Sequence, residues 1–458
     1  MLPWILRHST IPLWARYEKS PYLRVAARLD CEAFRSLDER RARQLRRLRV
    51  MLEHAYTTTG FYRERFRACG FEPGDLRDLD DLQKLPLVSK PELREQGGQM
   101  LSCAYAATQL VRRTTSGSTG MPLEMFVDGD CVQLRRGFLL HRDQWTGWRA
   151  GEKRAVLRGA PPVMPGWRDR GRNLLVHRNL YLNTLRMDES EMAAFALRVL
   201  RERPVMLFGH AHSLYLFARF WEARSLPSYR FRAALCTAMP LPHHERETLR
   251  RVFQAEVFDR YGSEELSLIA TECQAHEGLH VNTDGLVVEV VPDGVSTGGG
   301  RIVVTDLWNR GMPLIRYDLG DRVVPEPRAC SCGRTDPLLR TVTGRVADHL
   351  WTPDGRRVSG IAITEHFAEL FPDVKQVQIV QNRVDHVLVR LVPGPATADR
   401  IAARVARVVE AAFGPGMRHE LEPVREIAPE PSGKFRFAIC NVPEPDRPHI
   451  PVGQLPAR

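Results

Sequence analysis

Apolar and polar positions recur with different periods along this chain, and each change of period marks a change of structure. From about 30 to 100 the spacing is helical. LDERRARQLRRLRVMLEHAYTTT carries Leu45, Leu48, Met51, Leu52 and Ala55 on one stripe, as an amphipathic helix against a core requires. FYRERFRACG reads as a short helix stopped by Gly70. DLDDLQKLPLVSKPELREQ reads as a short helix, a break at Pro86 and a new helix start. From about 110 to 340 the apolar runs RAVLRG, PVMLFG, RAALCTA, AEVFDRYG, LVVEVV and RIVVTDL alternate with helical segments such as ESEMAAFALRVLRER and LPHHERETLRRVFQ. Parallel strands need crossover connections, so this alternation predicts an α/β domain with a mixed or parallel sheet. PDGVSTGGGR joins LVVEVV to RIVVTDL as a hairpin turn.

After about 343 the texture changes. VKQVQIVQ and DHVLVRLVP read as strands, ATADRIAARVARVVEAAFG as an amphipathic helix ended by Gly414, and a segment ending in PSGKFRF follows. The predicted architecture is α/β: a large N-terminal mixed α/β domain over 1–343, mainly helical over 1–100, and a small C-terminal α+β domain over 344–458.

Composition narrows the class. A length of 458 residues exceeds one ordinary core, which agrees with two domains. No stretch approaches the roughly 20 apolar residues of a membrane span, so stable membrane insertion is not expected. The start, MLPWILRHSTIPLW, has a short apolar patch but no long apolar core or small-residue cleavage site, so it does not read as a signal peptide and the expected compartment is the cytoplasm. Nine scattered cysteines suit reduced thiols and a metal site better than a disulfide framework. The formal charge of +11 is carried mainly by Arg spread beside acids, with no basic run interleaved with aromatics. Nucleic acid is therefore not the expected partner. A basic surface suits nucleotides, coenzyme A or an acidic carrier protein.

The strongest local motif is Thr114-Thr115-Ser116-Gly117-Ser118-Thr119-Gly120-Met121-Pro122. Small residues let the backbone wrap an anion, and successive N–H groups form a phosphate-binding nest. It is not a Walker A loop, and alone it is as readily a Ser/Thr/Gly linker. It is followed by Tyr261-Gly262-Ser263-Glu264-Glu265, Arg316-Tyr317-Asp318-Leu319-Gly320-Asp321, Gly344-Arg345-Val346-Ala347-Asp348 and Pro431-Ser432-Gly433-Lys434-Phe435. Each separately reads as a turn, a charged loop or an exposed Lys. Their order and spacing are not explained that way.

Together these motifs resemble the adenylate-forming superfamily of acyl-CoA synthetases and adenylation domains, in its phenylacetate–CoA ligase-like branch, which includes capsular-polysaccharide synthetase-type homologues. The resemblance runs from FYRERF and LPLVSKPELRE to GKFRF. It implies that Thr115, Ser116, Gly117, Ser118, Thr119 and Gly120 close over the ATP phosphates. It places Ala238, Met239, Tyr261 and Gly262 near the nucleotide, with Tyr261 also near the acyl group. Glu265 would hold Mg²⁺, Asp321 the ribose hydroxyls, and Arg345 a ribose or phosphate oxygen. Asp348 would lie near a hinge, and Lys434 would reach the carboxylate and α-phosphate from a mobile C-terminal lid. These types suit the chemistry: carboxylate and ATP are both anions, and a divalent cation and a Lys offset their repulsion.

Three positions depart from the family pattern. Glu264 stands where Ser or Thr is common, Ala347 replaces the second acid of the hinge motif, and Thr237-Ala238-Met239-Pro240 replaces a Gly-Ala-Glu-Pro-like adenine segment. The contacts near Met239 are left open by that change.

Two further constellations carry chemistry. Cys273, His280, Cys330 and Cys332 offer four tetrahedral ligands to a structural Zn²⁺, with His276 competing for the place of His280. Ordinary buried cysteines are the plainer alternative. His210 and His212 follow the run PVMLF and either flank the acyl pocket or belong to a polar loop. The resemblance implies ATP-dependent activation of a carboxylic acid, an aryl acid of the phenylacetate or hydroxybenzoate type, followed by transfer to coenzyme A or an acyl carrier protein. The rival expectations are acyl transfer to an amine or hydroxyl, and a catalytically silent nucleotide-binding protein.

Overall fold

The computed structural model of the chain describes residues 1–114, 123–159, 166–184, 187, 189–238, 241, 243–292, 299–343, 349–355, 357–359, 363, 367, 374–394, 397–427 and 437–442. They form two compact units that divide near position 345. Among the described residues no helix is long and apolar enough to cross a membrane.

Up to Met100 the first unit is helical, with α1 (Tyr22–Glu32), α2 (Leu37–Thr58), α3 (Gly60–Ala68) and α4 (Lys90–Met100). A capping box starts α2: Ser36 Oγ accepts from Glu39 N at 3.2 Å, and Glu39 Oε2 accepts from Ser36 N at 3.0 Å. Its predicted stripe is the buried one, with Leu48, Met51, Leu52 and Ala55 inside and Leu45 partly so. DLDDLQK forms only a 3-10 turn, Asp80–Lys84.

β1 (Leu110–Thr114) and β2 (Glu124–Asp128) pair antiparallel with Thr114 opposite Glu124. α5 (Gly129–Asp143) follows, capped by Asp128, whose side chain accepts from Cys131 N at 2.9 Å. Among the described residues the main sheet has eleven strands. Its parallel half runs β4-β3-β5-β6-β7, where β3 is Arg154–Arg158, β4 Asn179–Asn183, β5 Met206–His210, β6 Ala233–Thr237 and β7 Glu256–Ser263. The crossovers include α6 (Glu189–Glu202), α7 (Ala211–Ala223) and α8 (His243–Phe253). Leu249 and Phe253 of α8 are fully buried against this half, and each such side chain contributes about 1.5–3 kcal/mol of transfer free energy. The chain leaves β3 to one side for β4 and returns to its other side for β5. That reversal opens a crevice at the carboxyl ends of the strands, the usual ligand position in open α/β sheets.

The antiparallel half continues as β7-β8-β9-β13-β12-β11-β10, with β8 (Ser267–Glu272), β9 (Leu279–Val281), β10 (Leu286–Pro292), β11 (Gly300–Asp306), β12 (Tyr317–Glu326) and β13 (Leu338–Thr343). β10 and β11 pair from Leu286 opposite Asp306 to Pro292 opposite Gly300, as the predicted hairpin requires; 293–298 lie outside the described residues. The Leu-Gly-Asp of the RYDLGD motif is not a turn. It lies inside β12, where Gly320 has φ +72° and the pairing with β11 changes register.

In the second unit β14 (His349–Trp351) pairs with β15 (Arg357–Ser359). β16 (Val374–Arg383), β17 (His386–Pro393), β18 (Arg418–Pro423) and β19 (Ala438–Cys440) make a four-stranded sheet in the order β18-β17-β16-β19. α9 (Ala398–Phe413) buries Ile401, Val405, Val408, Val409, Ala412 and Phe413, and Gly414 follows it with φ +88°. This is the small α+β fold that the pattern predicts.

Candidate active site and metal centre

The Tyr261-Gly262-Ser263-Glu264-Glu265 motif ends β7 and turns into β8. Gly262 is there for closeness: a Cβ on it would lie 2.5 Å from Ser267 O on the paired strand. The Tyr261 hydroxyl donates to Asp321 Oδ2 at 2.8 Å. Burial, joined by the charge of Asp321, pushes the Tyr261 phenol well above its ordinary value, so it remains a neutral donor.

Glu265 is buried in the β7–β8 turn. Its Oε1 accepts from the Tyr317 hydroxyl at 3.2 Å and lies 3.8 Å from Lys90 Nζ. Burial, then Glu265, raises the Tyr317 phenol, which keeps its proton too. Arg135 of α5 donates to the Glu265 backbone oxygen at 2.8 Å and to buried Asp306 Oδ2 at 2.7 Å, so the turn is held from behind. Lys90 is placed by two features. Val88 exchanges backbone hydrogen bonds with β12, accepting from Asp318 N and donating to Arg316 O, both at 2.9 Å. Ser89 then caps α4, accepting from Glu92 N at 3.3 Å. The ammonium thus stands at a helix start beside the acid.

His210 and Ala238 lie at the carboxyl ends of β5 and β6, where the fold opens its crevice. His210 is 9% exposed, and burial, with the charge of Arg158, pulls its imidazole down to about 4. It is neutral at ordinary pH. Ala238 has φ +67°, a left-handed conformation that costs a residue with a side chain and that gathers at functional turns. Met239 and the side chain of His212 lie outside the described residues, as do Thr115, Ser116, Gly117, Ser118, Thr119, Gly120, Arg345, Asp348 and Lys434.

Cys273, His280, Cys330 and Cys332 converge. Their ligand atoms all lie within 4.8 Å of one another. Cys273 Sγ is 3.6 Å from Cys330 Sγ, too far for a disulfide but the separation that two thiolates on one Zn²⁺ have. Cys332 Sγ is 3.5 Å from His280 Nε2, and buried His280 Nδ1 has no hydrogen-bond partner among the described residues. Burial, with the charge of Arg142, pulls the His280 imidazole down to about 4, the neutral form a metal ligand needs. His276 turns elsewhere: its ring nitrogens face Glu272 and Glu256, each at 3.3 Å. The cluster joins the β8–β9 turn to the β12–β13 loop. Trp145 packs edge-on against His280 at 5.4 Å and lies between the Arg142 and Arg334 guanidinium groups.

The family model for the CapK C-terminal domain matches residues 350–441. Protein CapK of Staphylococcus aureus is 23% identical over 367 residues, 79% of this chain and 81% of that protein. The phenylacetate-coenzyme A ligase of Pseudomonas putida is 26% identical over 71% of this chain and 74% of its own length. These likenesses support an adenylate-forming, phenylacetate–CoA ligase-like branch. The fold agrees: a 2-hydroxyisobutyryl-CoA ligase, solved with its acyl-AMP and CoA, superposes with a TM-score of 0.61 at 20% identity, covering 89% of this chain and 91% of that one.

Within this chain the structure brings Tyr261 and Asp321 together, and joins Glu265 to Tyr317, four residues before Asp321 on β12. Sequence reasoning did not single out Lys90, Tyr317 or Arg135. The Ser89-x-x-Glu92 capping box was a visible signal for a fixed helix start at Lys90. Arg135 had no signal of its own, because its partners Glu265 and Asp306 lie far along the chain.

Proposed function

We propose that this chain is an ATP-dependent, AMP-forming acid–thiol ligase acting on an aryl carboxylic acid. In the first step a carboxylate oxygen bonds to the α-phosphorus of ATP, the bond to the β-phosphate oxygen breaks, and pyrophosphate leaves. In the second a thiolate attacks the acyl carbon, a C–S bond forms, and AMP leaves with the C–O bonding pair. The observation that carries this reading is the pairing of Tyr261 with Asp321, four residues along one strand from the contact between Tyr317 and Glu265. In this reading Asp321 offers its held carboxylate to the ribose hydroxyls, and buried Glu265 offers a second one to a cation.

Glu265 fits Mg²⁺. The hydrogen bond from Tyr317 and the approach of Lys90 both use Oε1, and Oε2 is the oxygen that would take a cation. Bound there, Mg²⁺ supplies positive charge to the polyphosphate. Lys90 adds a fixed positive charge beside it, and Tyr261 keeps Asp321 oriented. Lys434, on the small C-terminal unit, serves the adenylation step only and leaves for thioester formation. His210 and Ala238 line the acyl and nucleotide ends of the crevice. The Cys273, His280, Cys330 and Cys332 set takes Zn²⁺ as a structural ion, because four protein ligands leave no open position for substrate.

The aryl class is supported by the phenylacetate-coenzyme A ligases among the relatives. Coenzyme A is the acceptor those names point to, and an acyl carrier protein is the other thiol of the same chemistry. Incubating the protein with ATP, Mg²⁺ and a panel of aryl and aliphatic acids, with coenzyme A, a phosphopantetheinylated carrier protein or simple amines, tests it. AMP and an aryl thioester are the expected products. Amides or esters alone, or a preference for aliphatic acids, would overturn the thiol or the aryl assignment respectively.

A further inference from the structure

The chain begins with a helical rod that is apolar on both sides. Leu2–Ile5, Leu6–Thr10 and Ile11–Tyr17 follow one another with Ile5, Leu6, Thr10 and Ile11 all in right-handed helical conformation, so they form one continuous element with a wider turn in the middle. Its inner side is docked. Leu6, Ile11 and Ala15 are buried, Ile11 and Ala15 pack with Val176, and Arg7 Nε donates to Ala150 O at 3.0 Å. Gly151 lies so close beneath that a Cβ there would meet Pro3 O at 2.7 Å. The outer side carries Leu2, Trp4, Ile5, Leu13 and Tyr17, with Trp4 63%, Leu13 67% and Tyr17 69% exposed. A helix with large apolar side chains on the side away from its docked face normally has those side chains covered.

A second exposed apolar group lies on the neighbouring segment. Asn173–His177 packs along this rod, and the same stretch of chain exposes Trp167 at 78% and Leu174 at 69%. The charges around these side chains are mainly positive. The rod holds Arg7, His8 and Arg16 and no acid; the first acid is Glu18, which is mostly buried and paired with Arg136 at 3.1 Å and with Arg172. The second segment has Arg168, Arg170, Arg172 and Arg178 against Asp169 alone.

We propose that this face docks on the surface of an anionic phospholipid bilayer. Tryptophan and tyrosine beside aliphatic side chains suit the boundary between headgroups and acyl chains, and the arginines suit anionic headgroups. The rod is about 24 Å long at 1.5 Å per residue, short of the roughly 30 Å of a bilayer core, so it lies in the interface rather than across it. Its inner side stays on the Ala150–Gly151 loop while the outer side enters the lipid. The inference does not depend on the proposed ligase activity.

Co-sedimentation of the full chain with vesicles of phosphatidylcholine alone, and with added phosphatidylglycerol, tests it. Binding is expected only to the anionic vesicles, weakening as salt rises. A W4E/L13E double variant, whose positions are exposed and leave the core intact, is expected to bind about a hundredfold more weakly, the factor for two large apolar side chains kept out of lipid. Wild-type thermal unfolding of that variant confirms that it folds. No sedimentation with anionic vesicles, or equal binding by the folded variant, overturns the proposal. So does a lipid-free dimer that the double variant dissolves, which assigns the face to a second copy of the chain.

Discussion

Tyr261 and Asp321 are joined by a 2.8 Å hydrogen bond although they sit on strands that are not neighbours. In the sheet order β8, β9 and β13 lie between β7 and β12. In a flat sheet those four spacings would hold the two strands about 19 Å apart. The antiparallel half must therefore curl until β7 and β12 approach across it. Asp321→Ala removes an acceptor that this curvature has placed, and charge-assisted hydrogen bonds are worth about 1.5–3 kcal/mol each. The KM for ATP is expected to rise about tenfold to a hundredfold while the preference among acids stays the same. Tyr261→Phe should give a smaller rise. An unchanged KM for ATP in folded Asp321→Ala would remove the ribose role.

Glu265→Gln keeps the shape and the hydrogen bond from Tyr317 but loses the charge. The Mg²⁺ concentration for half-maximal activity should rise, and kcat/KM should fall on the order of a hundredfold, the scale of losing one charge-stabilising group in a closed site. Titrating activity against Mg²⁺ for both proteins checks this. The same Mg²⁺ dependence in the variant would show that the cation is held elsewhere.

Much of this arrangement was legible before the structure, and the reasons are local. The stripe through Leu48, Met51, Leu52 and Ala55, the apolar strands β3, β5 and β6, and the helix ended by Gly414 all announce themselves by period or by a terminator. The place of Gly320 in a strand was not legible, because glycine beside Asp signals both a turn and a bulge, and only the partner strand β11 decides between them. Lys90 was passed over because its meaning comes from Val88 bonding to β12, more than two hundred residues away. The rod Leu2–Tyr17 gave only a short apolar patch, since Pro3 and Pro12 each sit within the first turn of a helical segment and look like breaks in the sequence.

The four-ligand cluster makes a stoichiometric prediction. Protein purified without chelator should carry about one equivalent of zinc, because the ligand atoms of Cys273, His280, Cys330 and Cys332 lie close enough to share one four-coordinate ion. Cys330→Ser should lower both metal content and melting temperature while leaving the acid preference alone. Elemental analysis and thermal unfolding read both. Zinc-free protein would return the cluster to ordinary packing.

His210 sets a pH dependence whose sign is fixed. Its folded pKa is pulled to about 4, below the value in an unfolded chain. The unfolded state takes up a proton that the folded state refuses, so the contribution is full above about pH 6.5 and is lost as pH falls toward 4. The stability difference between wild type and His210→Gln should shrink by about 1.4 kcal/mol per pH unit in that window. Urea unfolding of both proteins above and below the window measures it. Parallel pH profiles would mean that His210 is not held neutral.

The proposed reaction joins an acid to AMP before any thiol is involved. Exchange of labelled pyrophosphate into ATP, measured with acid and Mg²⁺ but without coenzyme A or a carrier protein, isolates that step. Exchange is expected to require an aryl acid, to be nearly abolished in Lys434→Ala, and to be weakened in Asp321→Ala. A supplied acyl-adenylate should still be converted to thioester by Lys434→Ala. Absence of acid-dependent exchange across the panel by folded, metal-replete protein would contradict it.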